Sequence, residues 1–345
     1  MNKKLIYLSA MLVAVLFTAC KNGDWEFANN SFSAVYFGSQ SPIRTITLGE
    51  ENENVTDNTM DNLHQFQIVA TVSGVYDNGN DVKIDFQVDN SLISGYKFSG
   101  AGDMVAMPAS HYTLTSNQIV IPSGKILGGV TVQLTDDFFN DPLSTELNYV
   151  IPVVMKQVAG ADSILSGRVQ DGVVSPNRLK SDDWSVVPKD YVLYAVKYIN
   201  PYQSNYLRRG VDNYSGAKTG TEIRHTDAVE HDEVLQNQFT TRGLSVVEWA
   251  RPTKDANGNN VDCRLKLDFD QSGKCTITSS SEGISASGSG QFVSKGDKNS
   301  WGGKDRDVLY LDYTVDYAGI KCATKDTLVV RDRGVKGEWF KVEAK

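Results

Sequence analysis

The sequence contains few of the residues that mark specialised architectures. Its 345 residues include only four Cys and nine Pro, which excludes a disulfide-dense scaffold and a proline-rich linker protein. Basic residues number 34 against 42 acidic ones, a formal net charge of −8. Because nucleic-acid binding needs a basic face, this balance argues against that class of partner. Hydrophobic residues make up 40% of the chain, which is enough for packed cores.

The N-terminus has the pattern of a secretory signal peptide. Lys3 and Lys4 precede an apolar run over residues 5–19 that ends in small residues, as signal peptides do before their cleavage site. The run is shorter than the ~20 residues that span a bilayer comfortably. We therefore expect residues 1–19 to be removed and residues 20–30 to form a polar tether.

The end of this segment, Thr18-Ala19-Cys20, resembles a bacterial lipobox, although Phe17 occupies the position where Leu is usual. The resemblance implies that Cys20 becomes the lipidated, palmitate-bearing N-terminus of the mature protein. Two or more acyl chains are sufficient for stable membrane attachment. The expected location is therefore the outer membrane, with the protein lipid-anchored and exposed at the cell surface.

The first half of the body is predicted to be all-β. Residues 66–76 and 82–88 are β-rich runs that flank a turn cluster at 77–81 containing Asn-Gly, a strong turn signal. Comparable runs follow at intervals of roughly ten residues as far as 147–158. Short strands at this spacing predict an Ig-like β-sandwich, which we place at residues 31–170.

The second half is also predicted to be β-rich. Residues 171–183 are rich in Gly, Ser, Pro and charge and indicate a linker, so residues 184–345 form the second domain. Within it, the pattern around Gly273 predicts a hairpin in which Leu267 lies opposite Ile277. The Gly-rich segment 285–292 is typical of strongly coiled strands. We expect an antiparallel β-barrel, calycin-like, or a second sandwich.

Two smaller features of this half remain open at the level of sequence. Residues 225–239 favour a short helix, with Asp227 as a candidate cap. The cysteines Cys263, Cys275 and Cys322 are odd in number, so at most one disulfide is possible. The hairpin register directs Cys263 and Cys275 to the core in different rows, which favours free, buried thiols.

Several stretches resemble a known family. Residues 72–93, 107–134 and 148–167 resemble the N-terminal β-domain of surface lipoproteins from Bacteroidetes polysaccharide-utilisation loci. Residues 183–210 and 300–317 resemble the C-terminal domain of some of these lipoproteins. The resemblance implies glycan capture at the cell surface, beside a SusC/SusD-like uptake pair.

Some relatives carry a family-18 glycosidase barrel after this N-terminal domain. Here only residues 184–345 follow, against roughly 250 residues for a (β/α)8 barrel. The resemblance therefore does not extend to glycosidase activity.

The candidate ligand-binding residues are aromatic side chains with polar neighbours. A sugar ring has an apolar C–H face and a rim of hydroxyls, so an exposed aromatic plane beside hydrogen-bonding groups suits it. The candidates for glycan binding are Tyr198, Tyr202, Tyr206, Arg208, Trp249 and Trp301.

Signals for catalysis, metals or cofactors are weak. The carboxylate pairs, such as Asp182-Asp183 and Asp232-Glu233, are sequence neighbours and point to opposite faces of a strand, whereas glycoside hydrolysis needs two carboxyls facing across a cleft. The cluster around His225 and His231 does not have a zinc-motif spacing. We therefore predict no catalytic residue, no metal and no cofactor.

Three hypotheses follow. The leading one is a surface lipoprotein that binds glycan without cleaving it. The second is a hydrolase on the C-terminal domain, which requires two convergent carboxylates. The third is a barrel that binds an apolar ligand, which requires an open apolar lumen.

Overall fold

The computed structural model describes residues 32–50, 57–76 and 78–345. These residues form two β-domains, as the sequence predicted. The signal peptide and Cys20 lie outside the described residues. None of the helices within the described ranges has the length and apolar character needed to cross a membrane.

Short strands dominate the described residues before position 200. In chain order they are β1 (Ala34–Tyr36), β2 (Pro42–Thr47), β3 (Gln65–Ser73), β4 (Val82–Val88), β5 (Tyr96–Phe98), β6 (Val105–Ala106), β7 (Tyr112–Leu114), β8 (Gln118–Ile121), β9 (Leu127–Leu134), β10 (Tyr149–Ala159), β11 (Ser163–Ile164), β12 (Arg168–Val169), β13 (Trp184–Val186) and β14 (Tyr191–Ile199). The α-helices within the described ranges are α1 (Thr59–Asn62) and α2 (Asp136–Asn140).

Longer strands form most of the remainder. They are β15 (Asn205–Gly216), β16 (Gly220–Arg224), β17 (Glu233–Leu235), β18 (Phe239–Thr241), β19 (Val246–Arg251), β20 (Cys263–Phe269), β21 (Lys274–Ser279), β22 (Ser285–Ser300), β23 (Lys304–Tyr317), β24 (Ile320–Asp332), β25 (Glu338–Trp339) and β26 (Val342–Ala344). Single 3₁₀ turns occur at Asn90–Ile93, Pro142–Thr145, Ser181–Asp183, Val229–His231 and Trp301–Gly303.

The N-terminal strands form a two-layered sandwich. One layer contains β1, β3 and β9, and the other contains β8, β4, β10, β14 and β2, with β8 and β9 paired only at Val120 and Gly129. The core between the layers joins side chains of β3, such as Ile68, to side chains of β4, such as Ile84. The strands predicted at 66–76 and 82–88 are therefore present, but they lie in different layers.

Strand β14 belongs to the N-terminal sheet. It pairs with β10 on one side and with β2 on the other, although we predicted that residues 184–345 form the second domain. Most side chains of β10 and β14 are buried because both faces are covered. Such central strands read as continuous apolar runs, a pattern that does not reveal which sheet a strand joins.

The end of the chain also returns to the N-terminal domain. Strand β25 pairs with β2, and β26 pairs with β5. Between them, Phe340 packs edge-on against Phe98, with ring centroids 4.9 Å apart. This contact closes a second core that includes Val154 and Leu193. The predicted domain boundary at residue 184 therefore separates β14, β25 and β26 from the strands with which they pair.

The C-terminal domain is a curled antiparallel half-barrel. Its strands follow the order β16-β15-β24-β23-β22-β21-β20-β19-β18, with β17 also paired to β15. The predicted hairpin is confirmed, because Leu267 lies opposite Ile277 and Gly273 has φ of 78°. The Gly-rich strand has little room for side chains, since a Cβ on Gly290 would come within 2.5 Å of Leu311 Cδ2.

The segment 225–239 and the three cysteines are two further features of this domain. The helix predicted at 225–239 is wrong, because that segment contains only the single turn Val229–His231 and then strand β17. The carboxylate of Asp232 is used there to accept hydrogen bonds from Thr226 and to pair with Arg209. Cys263, Cys275 and Cys322 are all free and buried.

Candidate functional site

Four of the six side chains predicted to bind glycan lie inside the protein. Tyr198, Tyr206 and Trp249 are each 0% exposed, and Arg208 is 3% exposed. The Tyr198 hydroxyl donates a hydrogen bond to the carbonyl of Phe139 over 2.9 Å. The expectation that these four side chains present a binding surface is therefore wrong. The spacing of the tyrosines reflects core packing of two different domains.

The other two candidates are half-buried. The Tyr202 ring stacks on Phe269, with centroids 3.6 Å apart and planes 7° apart. The Trp301 ring packs on the outer face of the half-barrel near Val308, and the Arg306 guanidinium lies 4.8 Å from its centroid. Neither ring offers both faces to a ligand.

Arg208 belongs to a buried ionic network inside the half-barrel. Its Nη2 lies 2.9 Å from Asp326 Oδ2, and Arg224 Nη2 lies 2.7 Å from the other oxygen of the same carboxylate. Arg224 also pairs with Asp212, which Arg251 approaches at 3.3 Å. Each of these arginines is thus paired with a carboxylate of the same domain.

The network strongly perturbs one acid. Burial alone would raise the pKa of Asp212, but the charge of Arg251, a hydrogen bond from Thr324 and contact with Arg224 lower this pKa to about 2. Asp212 is therefore a permanent anion at neutral pH.

The outer face of the half-barrel carries a polar groove. Ser289 and Gln291 point outward from β22, between outward-facing residues of β21 and β23. A depression of about 660 Å³ lies over β21–β24, and it shares Lys274, Cys275 and Ser289 with a second of about 570 Å³ over β20–β22. Side chains exposed or half-exposed on this groove are Lys266, Asp268, Asp270, Lys274, Thr276, Thr278, Ser289, Gln291, Tyr310, Asp312, Lys325 and Thr327.

Tyr310 is the aromatic side chain in this groove. It is 40% exposed and lies between Gln291 on β22 and Thr327 on β24. Within the described part of the chain, its ring stacks on no other ring and its hydroxyl has no hydrogen-bond partner. The amide of Gln291 is held in place because its Nε2 donates to Ser272 O over 2.8 Å. The groove thus combines a free aromatic plane with fixed polar groups.

A wall closes one end of the groove. The next row along the strands is Val308, Val329 and Leu207, and Val229 and Trp301 cover it. The 3₁₀ turns that contain Val229 and Trp301 contact each other there. Trp301 therefore covers the row of Val308, which is two residues from Tyr310 along β23. It lies beside the groove and does not form its floor.

Four charged side chains in the groove form two ion pairs. Lys325 Nζ lies 3.3 Å from Asp312 Oδ2, and Lys266 Nζ lies 3.0 Å from Asp268 Oδ2. Each pair presents a donor next to an acceptor, which is the arrangement that a hydroxyl group can bridge. The chemistry of the groove therefore suits a ligand with many hydroxyls.

The alternation of apolar and polar residues along β23 distinguishes Tyr310 in the sequence, whereas the spacing of the aromatic residues does not. In β23, Leu309, Leu311 and Tyr313 face the core, whereas Tyr310 and Asp312 are exposed. Strict alternation therefore assigns Tyr310 to the polar face of the strand.

No metal-binding arrangement accompanies the groove. Across the described residues, no group of three or more His, Cys, Asp or Glu side chains is placed to hold a metal ion. At the segment singled out from sequence, His231 Nδ1 lies 2.8 Å from Asp227 Oδ1 at an exposed turn.

Comparison with family models and curated proteins identifies two modules. Residues 201–334 match the model of a domain of unknown function, DUF5627, and residues 27–162 match a model described as an N-terminal domain. No curated protein matches the chain.

Solved structures extend this comparison. A Bacteroides ovatus protein of unknown function is 47% identical with a TM-score of 0.85, and the match covers 91% of this chain and 99% of that one. Another B. ovatus protein of unknown function is 14% identical, with a TM-score of 0.41 over 90% of this chain and 100% of its own. An auxiliary nutrient binding protein from Bacteroides thetaiotaomicron is 14% identical, with a TM-score of 0.34 over 80% and 88%. Because the first match is 47% identical and covers 91% of this chain, the chain belongs to the family of that first B. ovatus protein.

Proposed function

We propose that this protein binds glycan without cleaving it, through the groove on the outer face of the C-terminal half-barrel. The observation that carries the proposal is Tyr310, an unstacked aromatic ring within a row of polar side chains. The sugar ring stacks on Tyr310, and its hydroxyls contact the Asp312–Lys325 pair. The resemblance to surface lipoproteins of polysaccharide-utilisation loci supports the same ligand class.

One close pair of carboxylates in the C-terminal domain is poorly suited to general acid catalysis. Asp212 and Asp326 both contact Arg224, so they are close enough to suggest an acid pair. Both are buried and paired with arginine, however, and the pKa of Asp212 at about 2 leaves it no proton to donate at neutral pH. A general acid in glycoside hydrolysis needs a raised pKa.

Packing inside the half-barrel argues against a large apolar ligand. Phe239 stacks on Trp249 at 5.3 Å and also contacts Tyr206 at 4.7 Å, while Trp249 meets Tyr313 at 6.1 Å. These rings fill the centre of the interior. The third hypothesis from sequence therefore has less support than the outer groove.

The test is retention of the protein by a panel of polysaccharides in affinity gels. Tyr310→Ala should weaken binding about tenfold, because a stacked aromatic contact contributes ~1.4 kcal/mol. The matched control is Tyr76→Ala, which removes a ring that is 72% exposed on the other domain. Equal binding by both variants and the parent would exclude the groove, and failure of the parent to bind any glycan would reject the function.

The proposal also includes the location and partners inferred from sequence. Cys20 would anchor the protein in the outer membrane, where a SusC/SusD-like pair would take up the captured glycan. Metabolic labelling with an alkyne fatty acid tests the anchor, since Cys20→Ala should abolish the label. Copurification from membranes tests the pair, and the absence of any transporter in the eluate would count against it.

A further inference from the structure

The groove carries equal numbers of positively and negatively charged side chains that face outward. Its outward-facing lysines are Lys266, Lys274 and Lys325, and its outward-facing aspartates are Asp268, Asp270 and Asp312. Lys266 and Lys325 each pair with an aspartate within the groove. Asp270 accepts hydrogen bonds from the backbone of its own turn, including one from Lys274 N over 3.0 Å. Three positive charges thus face three negative charges.

Arg209 lies at the β15 end of the row that contains Tyr310 and Thr327, and it is also paired. Its Nε is 2.6 Å from Asp232 Oδ2, so Arg209 does not add a free positive charge to the groove. A polyanionic glycan needs an excess of cations, because its charges must be neutralised on binding. The whole chain, at −8, adds a repulsive contribution.

The groove is longer than one sugar ring. One row runs straight across five strands through Asp268, Thr276, Ser289, Asp312 and Lys325. Four intervals between strands at about 4.8 Å each correspond to about 19 Å. A single sugar ring would contact only part of this row.

We infer that the ligand is a stretch of uncharged oligosaccharide that lies across the strands of the half-barrel. This inference rests on the proposed function and specifies its substrate class. Ion-paired side chains serve here as hydrogen-bond donors and acceptors for the sugar hydroxyls, and Tyr310 supports one ring along the chain.

The experiment measures binding of the mature chain to two sets of probes by calorimetry. The neutral set is galactomannan, xyloglucan and arabinoxylan, with their oligosaccharides of increasing length, and the acidic set is polygalacturonate and chondroitin sulfate. Each titration is repeated at low salt and at ~1 M salt, where the Debye length falls to about 3 Å. We expect a neutral glycan to bind with a Kd that salt changes by less than about twofold. Affinity should increase from the monosaccharide to longer oligosaccharides.

A charge variant sharpens the test. Asp312→Asn keeps the shape of the groove but leaves Lys325 unpaired, so this variant should gain salt-sensitive binding of polygalacturonate and lose affinity for the neutral ligand. Asp316→Asn, on the same strand but outside the groove, is the control. Binding of the parent to acidic probes alone, with affinity that falls as salt rises, would overturn the inference while leaving glycan binding intact. Binding to neither set would overturn the inference and the proposed function together.

Discussion

Arg333 donates a hydrogen bond from Nη1 to the carbonyl oxygen of Leu48 over 3.0 Å, and so connects positions 285 residues apart. The same guanidinium donates to Asn200 O at 2.6 Å and to Gln203 O at 2.9 Å. Three carbonyls, from the N-terminal domain and from the connection between domains, thus share one cation. Burial lowers the pKa of Arg333 to about 10, still high enough to keep it charged at neutral pH.

Removing this cation should loosen the junction between the domains. Arg333→Ala leaves three carbonyl groups without their donor, and we expect a loss of about 3 kcal/mol in the free energy of unfolding. Arg333→Lys should recover only part of it, because an ammonium cannot reproduce the planar fork. Urea denaturation provides the measurement. Arg331→Ala, which removes a 38% exposed side chain, is the control, and equal losses in both would contradict this role.

Trp249 should be essential to folding and not to ligand contact. Its side chain is completely buried between Phe239 and Tyr313, so Trp249→Ala should cost about 3–5 kcal/mol of stability. The exposed Trp339, at 67%, should tolerate the same change within about 0.5 kcal/mol. Thermal melting distinguishes the two variants. A Trp249→Ala protein that melts like the parent would refute the packing described above.

The stability of the C-terminal domain should fall in strong acid because of Asp212. Its folded-state pKa is depressed from 3.8 to about 2, so the associated stabilisation is complete above pH 3.8 and disappears as the pH falls through about 2. The difference corresponds to about 2 kcal/mol. Denaturation at a series of pH values from neutral to strongly acidic measures it. Asp212→Asn should flatten this part of the profile, and an unchanged slope would argue against the ion pairs.

The packing of strand β22 should depend on the absence of a side chain at position 290. A Cβ there would meet Leu311 Cδ2 at 2.5 Å and Cys275 Sγ at 2.8 Å, so Gly290→Ala should cost about 1–3 kcal/mol through overpacking. Gly102→Ala is the control, because nothing lies within 4 Å of that Cβ position. Both variants can be compared by urea denaturation, and equal stability of the two would show that the packing at position 290 does not need glycine.

Patterns within short stretches of sequence were sufficient to predict the all-β class, the positions of most strands and the register of the β20–β21 hairpin. Alternation along Cys263–Phe269 and the glycine at 273 define the hairpin because both depend only on neighbouring residues. The same alternation identifies Tyr310 as exposed. These features follow from backbone geometry that repeats every second residue.

Tertiary structure decided the partners of each strand and the burial of the aromatics. Tyr198 and Tyr206 are eight positions apart, yet one packs in the sandwich and the other in the half-barrel. Residues 338–344 pair with β2 and β5, a contact that no local pattern encodes. Strand pairing and burial depend on apolar surfaces brought together from distant parts of the chain, which periodicity within a single segment does not specify.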